Sequence, residues 1–277
     1  MIRGTTGLIA HIGYPTHTFK SPLIYNPYFE RTGIDAVVVP MGCRPDHYPA
    51  LLTSVFHLTN IVGALITMPH KVTTAGLVDE CSAAVRIAGA CNAVRRSPDG
   101  RLVGELFDGE GFVRGARRKG ARLAGASALV VGAGGVGSAI AASLAGAEVG
   151  ALRLFDTAPR AAESLAERLR AHHPAVEVTT GSRDPAGCDI VVNATPLGMR
   201  EDDPLPLDTT RLSPQALVGE VVLKDEMTPF LRAAASRGCR IQVGTDMLFE
   251  QIPAYLEFFG LATTTAERLR ELARLET

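Results

Sequence analysis

The run Ala128-Leu129-Val130-Val131 leads straight into Gly132-Ala133-Gly134-Gly135-Val136-Gly137, and few folds accept that order of residues. A short β-rich apolar run reads as a buried strand. Glycine at 132 permits a tight strand-to-helix turn, at 134 it lets a pyrophosphate approach the backbone, and at 137 it allows close helix–strand packing. Amides at the helix N-terminus then face the phosphates. The G-x-G-x-x-G spacing alone is a weak signal. Here strand, loop, helix and a second strand at Ala151–Phe155 follow in order, so Gly132, Ala133, Gly134, Gly135, Val136 and Gly137 read as the cradle of a dinucleotide. The surrounding stretch Leu123–Ala147 carries no charge over 25 residues, long enough to span a bilayer. Its central glycines and few large side chains argue for strand, loop and helix instead.

The second strand ends at Asp156, 24 residues beyond Gly132, where a carboxylate accepts hydrogen bonds from the adenosine ribose of NAD and repels a 2′-phosphate. NAD is therefore expected over NADP. Arg153 and Arg160 lie near enough in sequence to favour NADP, but neither occupies the strand end. A second reading of Asp156 is that it only caps the following turn.

Apolar β-rich runs alternate with helical patterns along most of the chain, which predicts a parallel α/β architecture. A length of 277 residues suits two domains. In the first, strands are expected at Gly7–Gly13, Asp35–Pro40 and Val62–Thr67, and helices at Pro22–Arg31, Tyr48–Leu58 and His70–Val78. The runs Cys91–Arg96 and Arg101–Leu106 flank Ser97-Pro98-Asp99-Gly100, a hairpin turn, so an antiparallel pair is expected to end an otherwise parallel sheet. The pattern resets after Phe107. A helix is expected at Asp108–Arg118, then strands near Ala128–Val131, Ala151–Phe155, Glu177–Thr180, Ile190–Asn193, Val218–Val222 and Arg240–Val243. Helices are expected at Arg160–His172, Leu248–Phe259 and Thr263–Leu275. The expected fold is thus α/β with two domains, an N-terminal mostly parallel α/β substrate domain (1–107) and a Rossmann-type nucleotide domain (108–245).

Lys and Arg number 28 against 29 Asp and Glu, a net charge of -1, so no field is available to hold nucleic acid or an anionic membrane. Cys43, Cys81, Cys91, Cys188 and Cys239 are odd in number and contain no C-x-x-C pair. They fit neither a disulfide framework nor structural zinc, and suit a reducing cytoplasm. The early apolar stretch is too short for a secretory signal. His70 and the His172-His173 pair lack ligand partners at helical spacing, so no metal is expected.

Four segments carry polar residues in apolar surroundings: Thr67-Met68-Pro69-His70-Lys71, Gly89-Ala90-Cys91-Asn92, Asp108-Gly109-Glu110-Gly111, and Gly244 through Gln251. Strand ends releasing Thr67, Lys71, Asn92 and Asp108 toward one cleft would form a polar pocket facing a bound nicotinamide, since ligands of open α/β sheets sit beyond the strands' carboxyl ends. With Gly13-Tyr14-Pro15, Ser21-Pro22, Asn26, Asp108-x-x-Gly111-Phe112, Asn193-Ala194-Thr195-Pro196-Leu197-Gly198-Met199, Thr228-Pro229 and Gly244-x-x-Met247-Leu248-x-x-Gln251, the chain resembles the shikimate dehydrogenase family almost end to end. The resemblance implies hydride transfer between a ring carbinol of a cyclic polyol and NAD(P). It also implies that C-terminal helices, 246–277, return to complete the first domain. It assigns Lys71 and Asp108 as the catalytic pair, and Thr67, Asn92 and Gln251 as contacts to ring hydroxyls. The loop with Thr195 and Pro196 is placed near the nicotinamide, and Gly244 is counted with the cofactor residues. Chemically, an unperturbed lysine of pKa ~10.4 is a poor base. Lys71 is therefore expected to donate the proton in ketone reduction, with Asp108 orienting it.

The departures from the family pattern have a direction. Phe19 stands where the first of two carboxylate-binding serines belongs, leaving Ser21. Leu65 replaces an asparagine, Leu106-Phe107 replaces Asn-Thr, and Leu223 replaces a tyrosine that neighbours the carboxylate. Asp225 replaces a proline, and Glu220 an aspartate. Losing two donors to a buried anion costs ~3–6 kcal/mol, at ~1.5–3 per charged contact. The expectation is a divergent paralogue with an altered carboxylate side, acting on a cyclic polyol other than shikimate, unless Thr18, Lys20 or Lys224 rebuilds the anion site. The alternatives are an ordinary shikimate or quinate dehydrogenase and an inactive nucleotide-binding sensor. The partner is a small molecule, and the chain is expected to be a monomer or homodimer.

Overall fold

The computed structural model describes residues 2–200, 202–223 and 226–275. The chain divides into two compact units, one comprising residues up to Phe107 together with those from Ile252 onward, the other Asp108–Gln251. The return to the first unit begins at Ile252, inside a helix, and not at residue 246.

The first unit contains, in chain order, β1 (Gly7–Gly13), α1 (Pro22–Thr32), β2 (Ala36–Gly42), α2 (Tyr48–Val55), β3 (Ile61–Ile66), α3 (Lys71–Ala75), β4 (Glu80–Cys81), α4 (Ala83–Ala88), β5 (Ala93–Arg96) and β6 (Leu102–Glu105). They form one sheet in the order β2-β1-β3-β5-β6-β4. β1 pairs in parallel with β2 and β3, and β5 runs antiparallel to β3 and β6. The hairpin between β5 and β6 turns at Gly100, whose φ of +92° favours glycine. It does not end the sheet, as expected from the pattern, because β4 adds in parallel to β6. Two residues are too few for side-chain alternation to reveal such a strand. The helix expected at His70–Val78 spans only Lys71–Ala75, stopped at Gly76. C-terminal residues pack back on α1: the Arg274 amide donates to the Leu23 carbonyl (2.8 Å) and the Tyr28 hydroxyl to the Ala262 carbonyl (2.9 Å).

The second unit contains α5 (Asp108–Arg118), β7 (Ser127–Val131), α6 (Gly135–Gly146), β8 (Ala151–Phe155), α7 (Pro159–His172), β9 (Glu177–Thr180), β10 (Ile190–Asn193), β11 (Leu217–Glu220), α8 (Pro229–Ser236) and β12 (Arg240–Gln242). α9 (Gly244–Phe258) begins there, and α10 (Ala266–Leu272) belongs to the first unit. The sheet is wholly parallel in the order β12-β11-β10-β7-β8-β9. Its central strands β7 and β10 are near-continuous apolar runs, buried along almost their whole length. On one face Leu129, Val131, Val191 and Val218 pack against Phe230 and Leu231 of α8. The chain runs outward through β7, β8 and β9, then crosses back to β10, β11 and β12. That reversal is the Rossmann arrangement, and it leaves a crevice at the carboxyl ends of β7 and β10. Among the described residues no helix is long and apolar enough to cross a membrane.

Candidate active site

In the first unit, candidate polar residues gather where β1 and β3 end. The Thr67 amide donates to the Ile12 carbonyl (2.9 Å) and the Tyr14 amide to the Met68 carbonyl (3.0 Å), so the two strand exits are tied together. Lys71 is the first residue of α3. Its carbonyl accepts from the Cys91 amide at 2.9 Å, which fixes the lysine backbone beside Asn92. Asn92 is buried, and its Oδ1 accepts from the Phe107 amide at 2.9 Å while Nδ2 has no partner among the described residues. Phe107 immediately precedes Asp108. Ser21 stands at the start of α1, where its hydroxyl makes no capping bond.

Phe19 does not merely lack a hydroxyl. Its ring stacks on His11, with centroids 4.0 Å apart, and fills the space beside Thr67: a Cβ at Gly13 would lie 2.9 Å from Phe19 Cζ and 2.4 Å from Thr67 Cγ2. Thr18 and Lys20 are exposed. Lys224 and Asp225 lie outside the described residues.

His70, set aside in the sequence for want of ligand partners, is fully buried. It stacks on Tyr48 at 3.9 Å and 5°, and its Nε2 donates to the Cys43 carbonyl at 2.9 Å. The Thr74 hydroxyl, 2.6 Å from that of Tyr48, donates to the His70 carbonyl at 2.8 Å. This cluster holds the turn from which Lys71 emerges. Its signal in the sequence is a single histidine between Pro69 and Lys71, and its partners are Cys43, the residue after β2, and Tyr48 of α2.

In the second unit the glycine loop is shaped by contacts that exclude side chains. Gly132 has φ +105°, and a Cβ there would lie 2.7 Å from the Ala194 carbonyl oxygen. A Cβ at Gly137 would lie 1.9 Å from the Gly132 carbonyl oxygen. At Gly134 and Gly135, which open α6, a Cβ would meet none of the described residues within 4 Å. Closed beneath and open above a helix N-terminus, the loop fits a pyrophosphate. Asp156 does more than either reading of it required. Its Oδ2 accepts from the Ala133 amide (2.7 Å), tying strand end to glycine loop, and its Oδ1 caps the turn through the Ala158 amide (2.8 Å). A carboxylate has about four acceptor positions, so both bonds leave capacity for a ribose. Arg153 donates to the Ala186 carbonyl (3.0 Å), and Arg160 is exposed.

The loop after β10 is braced by Asn193, which is buried. Its Oδ1 accepts from the Thr195 amide (3.1 Å) and hydroxyl (2.6 Å), and its Nδ2 donates to the Leu197 carbonyl (2.9 Å). Pro196, between them, is exposed. Gly244 opens α9 with no room for a side chain, since a Cβ would lie 2.0 Å from the Val222 carbonyl oxygen. Leu223 is exposed after β11. Asp108, buried, is the first residue of α5. One turn on, Gly111 packs against Gln251, whose Oε1 has no partner among the described residues.

Glu220, noted in the sequence only as a departure, is fully buried at the end of β11, where its Oε2 accepts from the Thr228 hydroxyl at 2.9 Å. Burial raises its pKa to about 7, against the lowering effect of hydrogen bonds from Thr228 and Asn193. Between about 4.5 and 7 the folded chain therefore holds a proton that the unfolded chain has lost, and stability falls as pH rises through that window. Glu220→Gln is expected to remove this slope. Thermal unfolding from pH 5 to 7.5 should show wild type losing up to ~3 kcal/mol relative to the variant, at ~1.4 per pKa unit. Parallel Tm curves would refute it.

Residues 11–94 match the shikimate dehydrogenase substrate binding domain. Over 254 residues the chain is 39% identical to the shikimate dehydrogenase (NADP(+)) of Rubrobacter xylanophilus, covering 90% of this chain and 89% of that protein. The chain belongs to the shikimate/quinate dehydrogenase family. Shikimate 5-dehydrogenase of Listeria monocytogenes, solved with shikimate and NAD, superposes with a TM-score of 0.91 at 25% identity, covering 98% of this chain and 97% of that one. Quinate dehydrogenase of Corynebacterium glutamicum, solved with NAD, superposes at 0.84 with 30% identity, covering 96% and 98%. Family membership carries NAD(P)-dependent dehydrogenase activity on a CH–OH group. Both cofactors occur among these relatives. Among the described residues no group of three or more His, Cys, Asp or Glu is placed to hold a metal.

Proposed function

We propose that this chain interconverts a ring carbinol and ring ketone of shikimate or quinate, a small cyclic polyol acid, with Lys71 and Asp108 as the catalytic pair. The observation that carries the reading is the pair of bonds around Asn92. The Cys91 amide holds the Lys71 carbonyl, and Asn92 Oδ1 holds the amide of the residue before Asp108. In the reductive direction Lys71 Nζ gives its proton to the carbonyl oxygen as negative charge develops there, and in oxidation the same Nζ takes the hydroxyl proton back as the hydride leaves for the dinucleotide. Asp108 orients the ammonium and binds a neighbouring hydroxyl. The unpartnered Asn92 Nδ2 and Gln251 Oε1, with the Thr67 hydroxyl, contact the remaining ring hydroxyls, and Ser21 faces the carboxylate. A nicotinamide dinucleotide bound along Gly132–Gly137, Thr195, Pro196 and Gly244 supplies or accepts the hydride. Steady-state assays with shikimate and quinate test the reading, and failure to reduce either NAD or NADP with both acids overturns it.

A second reading, that of a divergent paralogue with an altered carboxylate side, is favoured by the Phe19 ring filling the space beside Thr67. It expects a cyclic polyol without the carboxylate to outperform shikimate in the same assay.

NAD is the proposed preferred cofactor, because the Asp156 carboxylate is fixed by two backbone amides at the strand end, where a 2′-phosphate would sit. Like charges so placed cost several kcal/mol, so NADH is expected to bind at least about tenfold more tightly than NADPH, and Asp156→Ser to narrow the gap. Equal or tighter NADPH binding to wild type would overturn this assignment.

A further inference from the structure

Phe19 removes a hydroxyl from the side of the site where the substrate carboxylate is expected, yet a different polar group lies directly beneath it. His11 is 6% exposed, on the central strand β1, in register with Leu65 of β3 and Pro40 of β2. Side chains alternate along a strand, so His11 shares a face with position 13, the point at which Phe19 and Thr67 converge. One face of the imidazole is covered by Phe19 at 4.0 Å. Among the described residues its buried Nδ1 has no hydrogen-bond partner, nor have Asn92 Nδ2 and Gln251 Oε1, two atoms of residues that the proposed function sets against substrate. A buried polar atom left unpaired costs about 1–3 kcal/mol, a cost that a ligand bonding to it removes.

We infer that His11 is a substrate-binding residue that donates a hydrogen bond to the carboxylate of the ring acid, rebuilding with Ser21 the anion site from which Phe19 has displaced a hydroxyl. The inference rests on the dehydrogenase reading above and deepens it. Burial, with the nearby Lys71 ammonium adding to it, lowers the His11 pKa to about 4. The ring is therefore neutral near pH 7 and offers one N–H donor and one acceptor nitrogen. Phe19 limits its orientation by stacking, so the donor is preorganised. Lys71, close enough to act on His11 electrostatically, adds positive potential that favours an anion. This accounts for how a chain with Phe19 and Leu65 retains a site for a carboxylate.

The test compares shikimate with the cyclohexene triol that lacks only the carboxylate, using His11→Leu and His11→Gln. His11→Leu is expected to raise KM for shikimate about tenfold or more, the size of one hydrogen bond to a charged group, with kcat within about threefold and the triol unaffected. His11→Gln, which keeps an N–H, should recover most of the loss. Phe19→Ser, which returns a hydroxyl, should lower KM for shikimate and reduce the effect of His11→Leu in the double variant. An equal change for both substrates, or none for shikimate, overturns the inference. Calorimetric titration of shikimate into wild type and His11→Leu needs no turnover. If neither substrate is turned over but shikimate binding still weakens tenfold in the variant, the dehydrogenase reading fails and the His11 contact stands. Circular dichroism spectra and thermal unfolding curves of both His11 variants that match wild type confirm that they fold.

Discussion

Lys71→Ala is expected to lower kcat for ring-carbinol oxidation by about 10²–10⁴-fold, the usual contribution of a positioned proton donor or acceptor. The residue is set by its surroundings and not by its own flexible stem. It opens α3 immediately after a turn clamped by the His70–Tyr48 stack and the His70–Cys43 hydrogen bond, and its carbonyl is held by the Cys91 amide. The substitution leaves all of those contacts in place, because they involve the lysine backbone or its neighbours. Cofactor affinity and thermal stability should therefore stay near wild type while turnover collapses. Steady-state kinetics beside NADH titration separates the two, and a kcat within tenfold of wild type would remove Lys71 from the chemistry.

Gly137→Ala is expected to abolish measurable dinucleotide binding, a loss of at least about a hundredfold in affinity. The added methyl would stand 1.9 Å from the Gly132 carbonyl oxygen, a backbone atom that cannot swing aside as a flexible side chain would. Relief requires the first turn of α6 to move away from β7, which carries the cradle out of shape. Overpacking of this kind costs about 1–3 kcal/mol in stability, so Tm should fall as well. Gly134→Ala makes the informative contrast. Its methyl meets none of the described residues within 4 Å, so the variant should melt like wild type yet bind NADH weakly, because the methyl occupies the approach of the pyrophosphate. If both variants bind normally, the loop is not the cofactor cradle.

Much of the fold is legible in the amino-acid order alone. The bounds of β1, β8, β9, β10 and α5 follow the sequence pattern residue for residue, because each is bracketed by breakers and carries an unmixed periodicity. β4 and α4 had no such signal, and α8 showed only as its Thr228-Pro229 start. The hairpin at Gly100 was readable from its turn chemistry. Its place inside the sheet was not, since pairing partners for an edge are chosen by residues distant along the chain. Of the site, the motif residues were readable as polar groups in apolar company. The bonds that make them a constellation, Asn92 to Phe107 and Cys91 to Lys71, join segments with no local mark of their pairing. Glu220, His70 and His11 were ordinary residues in the sequence, and became notable through burial alone.

By itself, then, the amino-acid order determined the alternation of strands and helices and the glycine loop, because these depend on backbone conformations and periodicities set within a few residues. Tertiary structure decided which strand closes each sheet, that Asp156 ties the loop as well as caps a turn, that Glu220 is fully buried, and that Phe19 lies on His11. Those outcomes depend on desolvation and long-range register, where the free energy of a side chain is set by atoms brought to it from elsewhere in the fold.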